Sequence, residues 1–137
     1  MNVTVSRKAH FNAAHRLYRK DWSDEQNNLI FGKCSNPNFH GHNYELIVSI
    51  TGPVDPETGY VMDMKVLKDH IKTEVEDAFD HKNLNLEVPE FMDTIPTAEN
   101  IVVVIYNKLK KILKTNQSME VVLYETPRNF VTYSENL

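Results

Sequence analysis

Apolar and polar residues alternate over two long segments in the first third of the chain. Alternate positions over residues 2–13 are mostly apolar and predict a strand, and His15 continues that series in phase. The alternation over residues 42–50 is strict and predicts a second strand. Near the C-terminus, the runs 119–124 and 129–133 flank a turn segment, which is typical of an antiparallel hairpin.

Helical spacing of apolar residues appears between these strands. Apolar residues recur every three to four positions over residues 64–78, and Asp63 stands where it can cap that helix. A second helix is predicted after Thr97, because length and periodicity outweigh the β-branched run near its start. The segment from Asp21 to Asn38 is rich in Asp, Asn and Ser, so we expect a long surface loop with a functional role there.

The predicted elements follow one another in the order β-β-α-α-β-β. Two helices on one face of a four-stranded antiparallel sheet make an α+β domain. Apolar residues are also expected on the other face of the sheet, so we expect the chain to form oligomers. No repeat, linker or low-complexity tract divides the sequence, and residues 1–137 are therefore interpreted as a single domain.

Composition and charge narrow the possible partners. The formal net charge is -4 and no basic stripe is present, which excludes the usual electrostatics of nucleic-acid binding. No apolar run approaches the ~20 residues of a membrane span, and the N-terminus does not resemble a signal peptide. We therefore expect a cytoplasmic protein without a membrane partner. Cys34 is the single cysteine, so it cannot form a disulfide within the chain and is a candidate nucleophile or base.

Three histidines form a candidate metal site. His40 and His42 begin the second strand and point to the same side, because residues two apart on a strand share a face. In a hairpin of the first two strands, His15 can lie beside them. Three neutral imidazoles suit Zn²⁺ and leave one coordination position for a substrate. Two alternatives stay open at this point: a closed structural site with Cys34 as fourth ligand, and ordinary histidines that bind no metal.

Short motifs along nearly the whole chain resemble the 6-pyruvoyltetrahydropterin synthase family. Agreement in order and spacing across many separate segments, rather than any one motif, carries the resemblance. The matching segments are residues 11–18 (FNAAHRLY), 31–38 (FGKCSNPN), 40–44 (HGHNY), 80–84 (DHKNL) and 124–126 (YET), supported by 55–62 (DPETGYVM) and 97–100 (TAEN).

The resemblance implies the tunnelling fold, in which three chains close their sheets into a barrel and two trimers stack as a homohexamer with active sites between subunits. It also implies a lyase of tetrahydrobiopterin-type synthesis, which converts 7,8-dihydroneopterin triphosphate into 6-pyruvoyltetrahydropterin and releases triphosphate. The resemblance further implies that His15, His40 and His42 hold Zn²⁺. Mg²⁺ can bind together with the triphosphate.

Five further residues receive roles from the same resemblance. Cys34 is expected to act as general base, and the pair Asp80 and His81 is expected to stabilise its thiolate. Glu125 is expected to accept paired hydrogen bonds from the pterin ring, and Thr97 to make a second pterin contact. Without the resemblance, residue chemistry favours plainer interpretations: a buried thiol, a polar helix end, a solvated glutamate and a helix cap.

Three other functions stay open from the sequence. The 6-carboxytetrahydropterin synthases of queuosine synthesis are relatives with the same fold, zinc and substrate. They typically have a shorter gap than the five residues between Cys34 and His40 here, which favours the pyruvoyl product. A zinc-stabilised interaction domain without catalysis would use Cys34 as a permanent ligand. A family member that performs plain aldol cleavage of dihydroneopterin is the third possibility.

Overall fold

The computed structural model describes residues 1–135, so the last two residues of the predicted single domain lie outside the described residues. Within residues 1–135 the chain forms five strands and five α-helices. In chain order the elements are β1 (Asn2–His15), α1 (Asp24–Phe31), β2 (His40–Pro53), α2 (Met64–Ile71), α3 (Asp77–Phe79), β3 (Lys82–Asn83), α4 (Leu84–Glu87), α5 (Ala98–Leu109), β4 (Ser118–Tyr124) and β5 (Phe130–Tyr133).

The strands form one sheet in the order β3-β1-β2-β4-β5. β1 and β2 pair as a long antiparallel ladder, in which His15 lies opposite His40 and Ala13 lies opposite His42. The sheet has five strands rather than the four that the sequence predicted. The additional strand, β3, pairs in parallel with Ala13 and Ala14. Its two residues are too few to show any alternation, so the hydrophobic pattern could not reveal it.

One face of the sheet packs against the helices and contains the core. α5 lies on β4 and β5, and the rings of Phe11 and Tyr44 stack with centroids 4.9 Å apart. Full burial of each large apolar side chain stabilises the fold by roughly 1.5–3 kcal/mol. Every helix within residues 1–135 is too short or too polar to cross a bilayer. The core includes Phe11, Tyr44, Leu46, Val48, Ile50, Ile101, Ile105, Leu109, Val121 and Leu123.

The opposite face of the sheet carries hydroxyl side chains as well as the apolar residues that the sequence predicted. Across β1 and β2, the hydroxyls of Thr4 and Thr51 lie 2.6 Å apart, and those of Ser6 and Ser49 lie 2.7 Å apart. Such cross-strand hydroxyl pairs stabilise a solvated sheet surface. The large apolar side chains of this face belong to β2, β4 and β5 and are Ile47, Val122, Tyr124 and Phe130.

Both predicted helices are confirmed, with their caps. The Asp63 carboxylate accepts the backbone N–H of Lys65 at 2.9 Å and begins α2. The predicted helix 64–78 continues from α2 through the π-helical segment Lys72–Glu76 into α3, which ends at Phe79. The Thr97 hydroxyl oxygen accepts the N–H of Asn100 at 3.2 Å and begins α5. Tertiary packing of an apolar stripe thus overrides the local strand preference of the β-branched run.

The segment from Asp21 to Asn38 is not the long loop that its composition predicted. It contains α1 and a short 3₁₀ helix, Gly32–Ser35. The Ser23 hydroxyl accepts the N–H of Gln26 at 3.1 Å, and two acidic residues follow in the first turn, where the helix dipole favours them. Polar composition therefore disguised an ordinary helix start.

Candidate metal centre and its surroundings

The three histidines meet at one end of the sheet, on the face that carries the core. His15 is the last residue of β1, and His40 and His42 begin β2 directly beside it. The ring centroids of His15 and His40 are 4.5 Å apart, and the other two pairs are 5.0 Å apart. Each ring offers one nitrogen, and these nitrogens all lie within 4.8 Å of one another. One ion could therefore be held by all three.

Two nitrogens of this cluster are buried without a partner. The Nδ1–H of His15 donates to the carbonyl oxygen of Pro96 at 2.8 Å, which fixes the tautomer and leaves the lone pair on Nε2 free. Within residues 1–135, Nε2 of His15 and Nε2 of His42 have no hydrogen-bond partner. A buried polar atom without a partner costs about 1–3 kcal/mol. Three converging imidazoles, two of which have a buried nitrogen without a hydrogen-bond partner, fit a Zn²⁺ ion, which binds nitrogen ligands readily.

Burial favours the neutral form of His15 and His42, which is the form that can bind a metal. Burial lowers the pKa of His15 to about 4; its hydrogen bond to Pro96 opposes this, and the neighbouring His40 and His42 add to it. Burial also lowers the pKa of His42. The phenol of Tyr44 has a raised pKa because it is buried, and its hydroxyl oxygen lies 3.3 Å from Nδ1 of His15.

Metal-free protein is expected to lose stability as the pH falls from about 6.5 to about 4. In this range His15 is protonated in the unfolded chain but stays neutral in the folded chain, so a falling pH progressively favours unfolding. The expected loss is on the order of 3 kcal/mol. Urea unfolding of chelator-treated protein from pH 7.5 to pH 4 measures it. His15→Asn should flatten the dependence of the unfolding free energy on pH. The control His10→Asn, at an exposed position of β1, should not. A wild-type dependence as flat as that of His15→Asn would contradict the expectation.

Two of the predicted pterin contacts adjoin this cluster. A carboxylate oxygen of Glu125 lies 4.0 Å from Nε2 of His15, and the side chain is 25% exposed. Because His15 is neutral near pH 7, this contact is not an ion pair. The Glu125 N–H donates to the carbonyl of Asn129 at 3.0 Å, which closes the turn between β4 and β5. Thr97 follows Pro96, and its hydroxyl accepts the N–H of Asn100 while keeping its own hydrogen for a second partner.

Cys34 is not part of the metal cluster. Its residue is half-buried in the 3₁₀ helix Gly32–Ser35, and its thiol is free. The Leu17 N–H donates to the Cys34 carbonyl at 2.8 Å, which ties this turn to the segment that follows His15. Among residues 1–135, the only group of metal-ligating atoms that converges consists of the three histidines and does not include the thiol. This geometry favours the open site over the closed one.

Asp80 and His81 form a rigid pair at the outer edge of β1. Nδ1 of His81 lies 2.9 Å from one carboxylate oxygen of Asp80, and the other oxygen accepts the Asn12 N–H at 2.8 Å. The Asn12 N–H, and secondarily His81, lower the pKa of Asp80. His81 has φ +59°, which for a non-glycine residue costs on the order of 1 kcal/mol, and its N–H donates to the Asn12 carbonyl at 2.6 Å.

The structure of one chain does not join this pair to Cys34. Within the described residues no hydrogen bond links either side chain to the thiol. His42 and His81 do line the same shallow depression of about 500 Å³, but Cys34 does not. The predicted group of Cys34, Asp80 and His81 therefore stays a prediction, because no hydrogen bond among the described residues joins the thiol to the other two within one chain.

Sequence reasoning missed two groups that orient the histidines. The Pro96 carbonyl lies 81 residues from His15 along the chain, and no sequence signal marks a carbonyl as a hydrogen-bond acceptor for a distant ring. Tyr44 continues the series of His40 and His42 in phase along β2, so the strand alternation already placed it on the same face. Its contact with His15 was accessible from that pattern.

Fold and site together define an α+β protein with a candidate three-histidine metal centre at one end of an antiparallel sheet. The family model of 6-pyruvoyl tetrahydropterin synthase matches residues 4–136. The chain belongs to this family.

Relatives in sequence and structure agree with that assignment. The chain is 48% identical over 129 residues to the 6-pyruvoyl tetrahydrobiopterin synthase of Pongo abelii, which covers 94% of this chain and 89% of that protein. A solved structure of Caenorhabditis elegans 6-pyruvoyl tetrahydropterin synthase is similar at TM-score 0.91 and 40% identity, covering 98% of this chain and 96% of that one. The 6-carboxy-5,6,7,8-tetrahydropterin synthase of Rickettsia conorii is 29% identical over 147 residues, which cover 94% of this chain and 98% of that protein. For the single chain the tunnelling fold is confirmed, as is the family resemblance, and the chain is a member of an enzyme family.

Proposed function

We propose that this chain is a zinc-dependent lyase that converts 7,8-dihydroneopterin triphosphate into 6-pyruvoyltetrahydropterin and releases triphosphate. The observation that carries the proposal is the convergence of one nitrogen from each of three imidazoles within 4.8 Å, in a cluster where Nε2 of His15 and Nε2 of His42 are buried without a partner. His15, His40 and His42 would hold the ion. Zinc, when bound, would polarise the side-chain oxygens of the substrate and acidify the adjacent C–H and O–H groups.

The protein's own groups would then bind the pterin and move its protons. Glu125, 4.0 Å from His15, would accept two hydrogen bonds from the pterin ring and so place the side chain of the substrate beside the histidines. The free hydroxyl hydrogen of Thr97 would donate to the same ring. The thiolate of Cys34 would remove the proton from the acidified carbon and return it at the neighbouring position.

The base and its partner would come from different copies of the chain. Within the described residues no hydrogen bond joins the Cys34 thiol to Asp80 or His81, whereas the His81 side chain is 78% exposed and the Asp80 side chain 40% exposed. We therefore place this pair against Cys34 of a neighbouring subunit, in a homohexamer built from two trimers. A reducing compartment would keep the catalytic thiol reduced, which supports a cytoplasmic location.

Mixing two inactive variants is expected to restore activity. Cys34→Ala retains an intact Asp80–His81 pair, and His81→Ala retains an intact thiol. If each site combines residues of two copies, random reassembly of equal amounts makes about one quarter of the sites complete. The measurement is turnover after co-refolding, compared with each variant refolded alone. Activity that stays at the level of the single variants would contradict a shared site.

The product identifies the reaction. The zinc-loaded protein, incubated with 7,8-dihydroneopterin triphosphate, is expected to yield 6-pyruvoyltetrahydropterin and free triphosphate by mass spectrometry, without any nicotinamide. A carboxylate product together with acetaldehyde would instead assign the chain to the 6-carboxytetrahydropterin synthases. Glycolaldehyde would indicate aldol cleavage, and unchanged substrate would overturn the enzymatic proposal.

A further inference from the structure

A cavity of about 430 Å³ is lined by residues that follow His15 and Cys34 in the sequence and is not used by the mechanism above. It is enclosed by the segment that follows β1, by α1 and by the 3₁₀ helix Gly32–Ser35. Two of its lining residues are adjacent in sequence to proposed site residues: Arg16 follows His15, and Ser35 follows Cys34. Its polar walls are formed by Arg16, Asp24, Asn28, Lys33, Ser35 and Asn36.

The Arg16 guanidinium is held in place on this wall. Its Nε–H donates to the Ser35 carbonyl at 2.7 Å, and its central carbon lies 3.8 Å from the centroid of the Tyr18 ring. The Arg16 N–H donates to the side-chain oxygen of Asn85 at 2.8 Å, which fixes the backbone as well. Stacking and one hydrogen bond orient the planar fork while its two terminal amino groups keep their donors.

No carboxylate among residues 1–135 lies within ion-pair distance of the Arg16 guanidinium, although this residue is half-buried. Arg19, three residues further along, shows the contrast: it forms two hydrogen bonds with the Asp21 carboxylate, at 2.8 and 2.9 Å. A partly buried, pre-oriented guanidinium without a carboxylate is arranged for an external anion.

The rest of the cavity gives it a net positive charge. Lys33 adds a second cation that also forms no ion pair among the described residues. Asp24 is the single carboxylate on the wall. Two cations therefore face one anion, and an arginine fork pairs two donors with two phosphate oxygens better than with any neutral group.

We propose that this cavity binds the triphosphate group of the substrate, with Arg16 as its main anchor and Lys33 as the second. This inference rests on the function proposed above, which supplies a substrate with a triphosphate. Arg16 and Lys33 are binding residues and take no part in proton transfer. The negative charge of Asp24 is expected to weaken anion binding by repulsion, and this effect can be tested separately from the role of Arg16.

The test measures inorganic triphosphate binding to zinc-loaded full-length protein by calorimetry. Arg16→Gln is expected to weaken binding by about 10-fold or more, because it removes a charge and a paired donor. Lys33→Gln should weaken it by a smaller factor. Arg19→Gln, the matched control whose charge Asp21 already neutralises, should leave it unchanged. Asp24→Asn should tighten binding, by about twofold to fivefold, since it removes repulsion without removing any contact to the anion.

A second measurement separates the substrate from a free anion. In steady-state kinetics, Arg16→Gln is expected to raise the KM for 7,8-dihydroneopterin triphosphate by the same factor as the Kd of inorganic triphosphate. Orthophosphate should compete only weakly. Should Arg16→Gln fail to fold, the tightening by Asp24→Asn still decides the question.

The outcomes distinguish this inference from the proposed function. A protein that makes the pterin product but binds triphosphate equally well in Arg16→Gln and wild type overturns the inference alone. Unchanged binding in Asp24→Asn also counts against it, as does a weaker Kd in Arg16→Gln with an unchanged KM. Triphosphate binding through Arg16 without any pterin product overturns the function alone and leaves the anion site standing.

Discussion

Cys34→Ala is expected to lower turnover about 10³-fold while the protein keeps one zinc ion per chain and an unchanged Tm. Loss of a positioned base typically reduces the rate by 10²–10⁴-fold. The thiol lies outside the group of converging ligand atoms, so its removal should leave the metal in place. Turnover, zinc content by elemental analysis and thermal melting are measured on the same preparation. Cys34→Ser, which keeps the size but not the acidity of the thiol, should be almost as slow.

The same variants separate catalysis from a structural role of the cysteine. Zinc loss together with a large drop in Tm would make Cys34 a permanent ligand, and the chain would then be a metal-stabilised domain. Full activity in Cys34→Ala would remove the thiol from the mechanism and leave the metal centre intact.

His42→Ala is expected to weaken zinc binding by at least about 100-fold. Even changes in the groups that orient metal ligands cost 10–100-fold in affinity, and this change removes a ligand outright. In the metal-free protein the same substitution should cost little stability, because Nε2 of His42 is buried without a partner. Zinc competition with a chromophoric chelator measures the first effect, and urea unfolding of chelator-treated protein measures the second. His10→Ala, on the exposed side of β1, is the matched control.

Two results would count against this account of His42. Zinc affinity equal to that of wild type would exclude the side chain as a ligand. A large destabilisation of the metal-free variant would mean that the imidazole stabilises the fold, and its unpartnered nitrogen would then no longer be evidence for a metal ligand.

Alternation and capping signals predicted most of the architecture. The period of two placed β1 and β2, and Asp63 and Thr97 marked the starts of α2 and α5 because each side chain accepts an N–H from the first turn. The pattern did not reveal β3, since a two-residue strand has no period. α1 was missed for a different reason: its polar surface hid the cap that Ser23 provides.

The metal cluster was predictable to the same extent as the register of β1 and β2. His15 meets His40 because both lie on the core face at the end of one antiparallel ladder. The Pro96 carbonyl that holds His15 comes from a distant loop, and such a contact depends on tertiary packing that no local pattern encodes. A family motif likewise gives roles to Cys34 and His81 without indicating whether one copy of the chain supplies both.

X-ray absorption at the zinc edge of the loaded protein tests the metal centre most directly. We predict nitrogen and oxygen ligands only, with imidazole scattering from three histidines at about 2.0–2.1 Å and a light atom of solvent or substrate in the remaining position. A sulfur ligand at about 2.3 Å, or fewer than three imidazoles, would contradict the account.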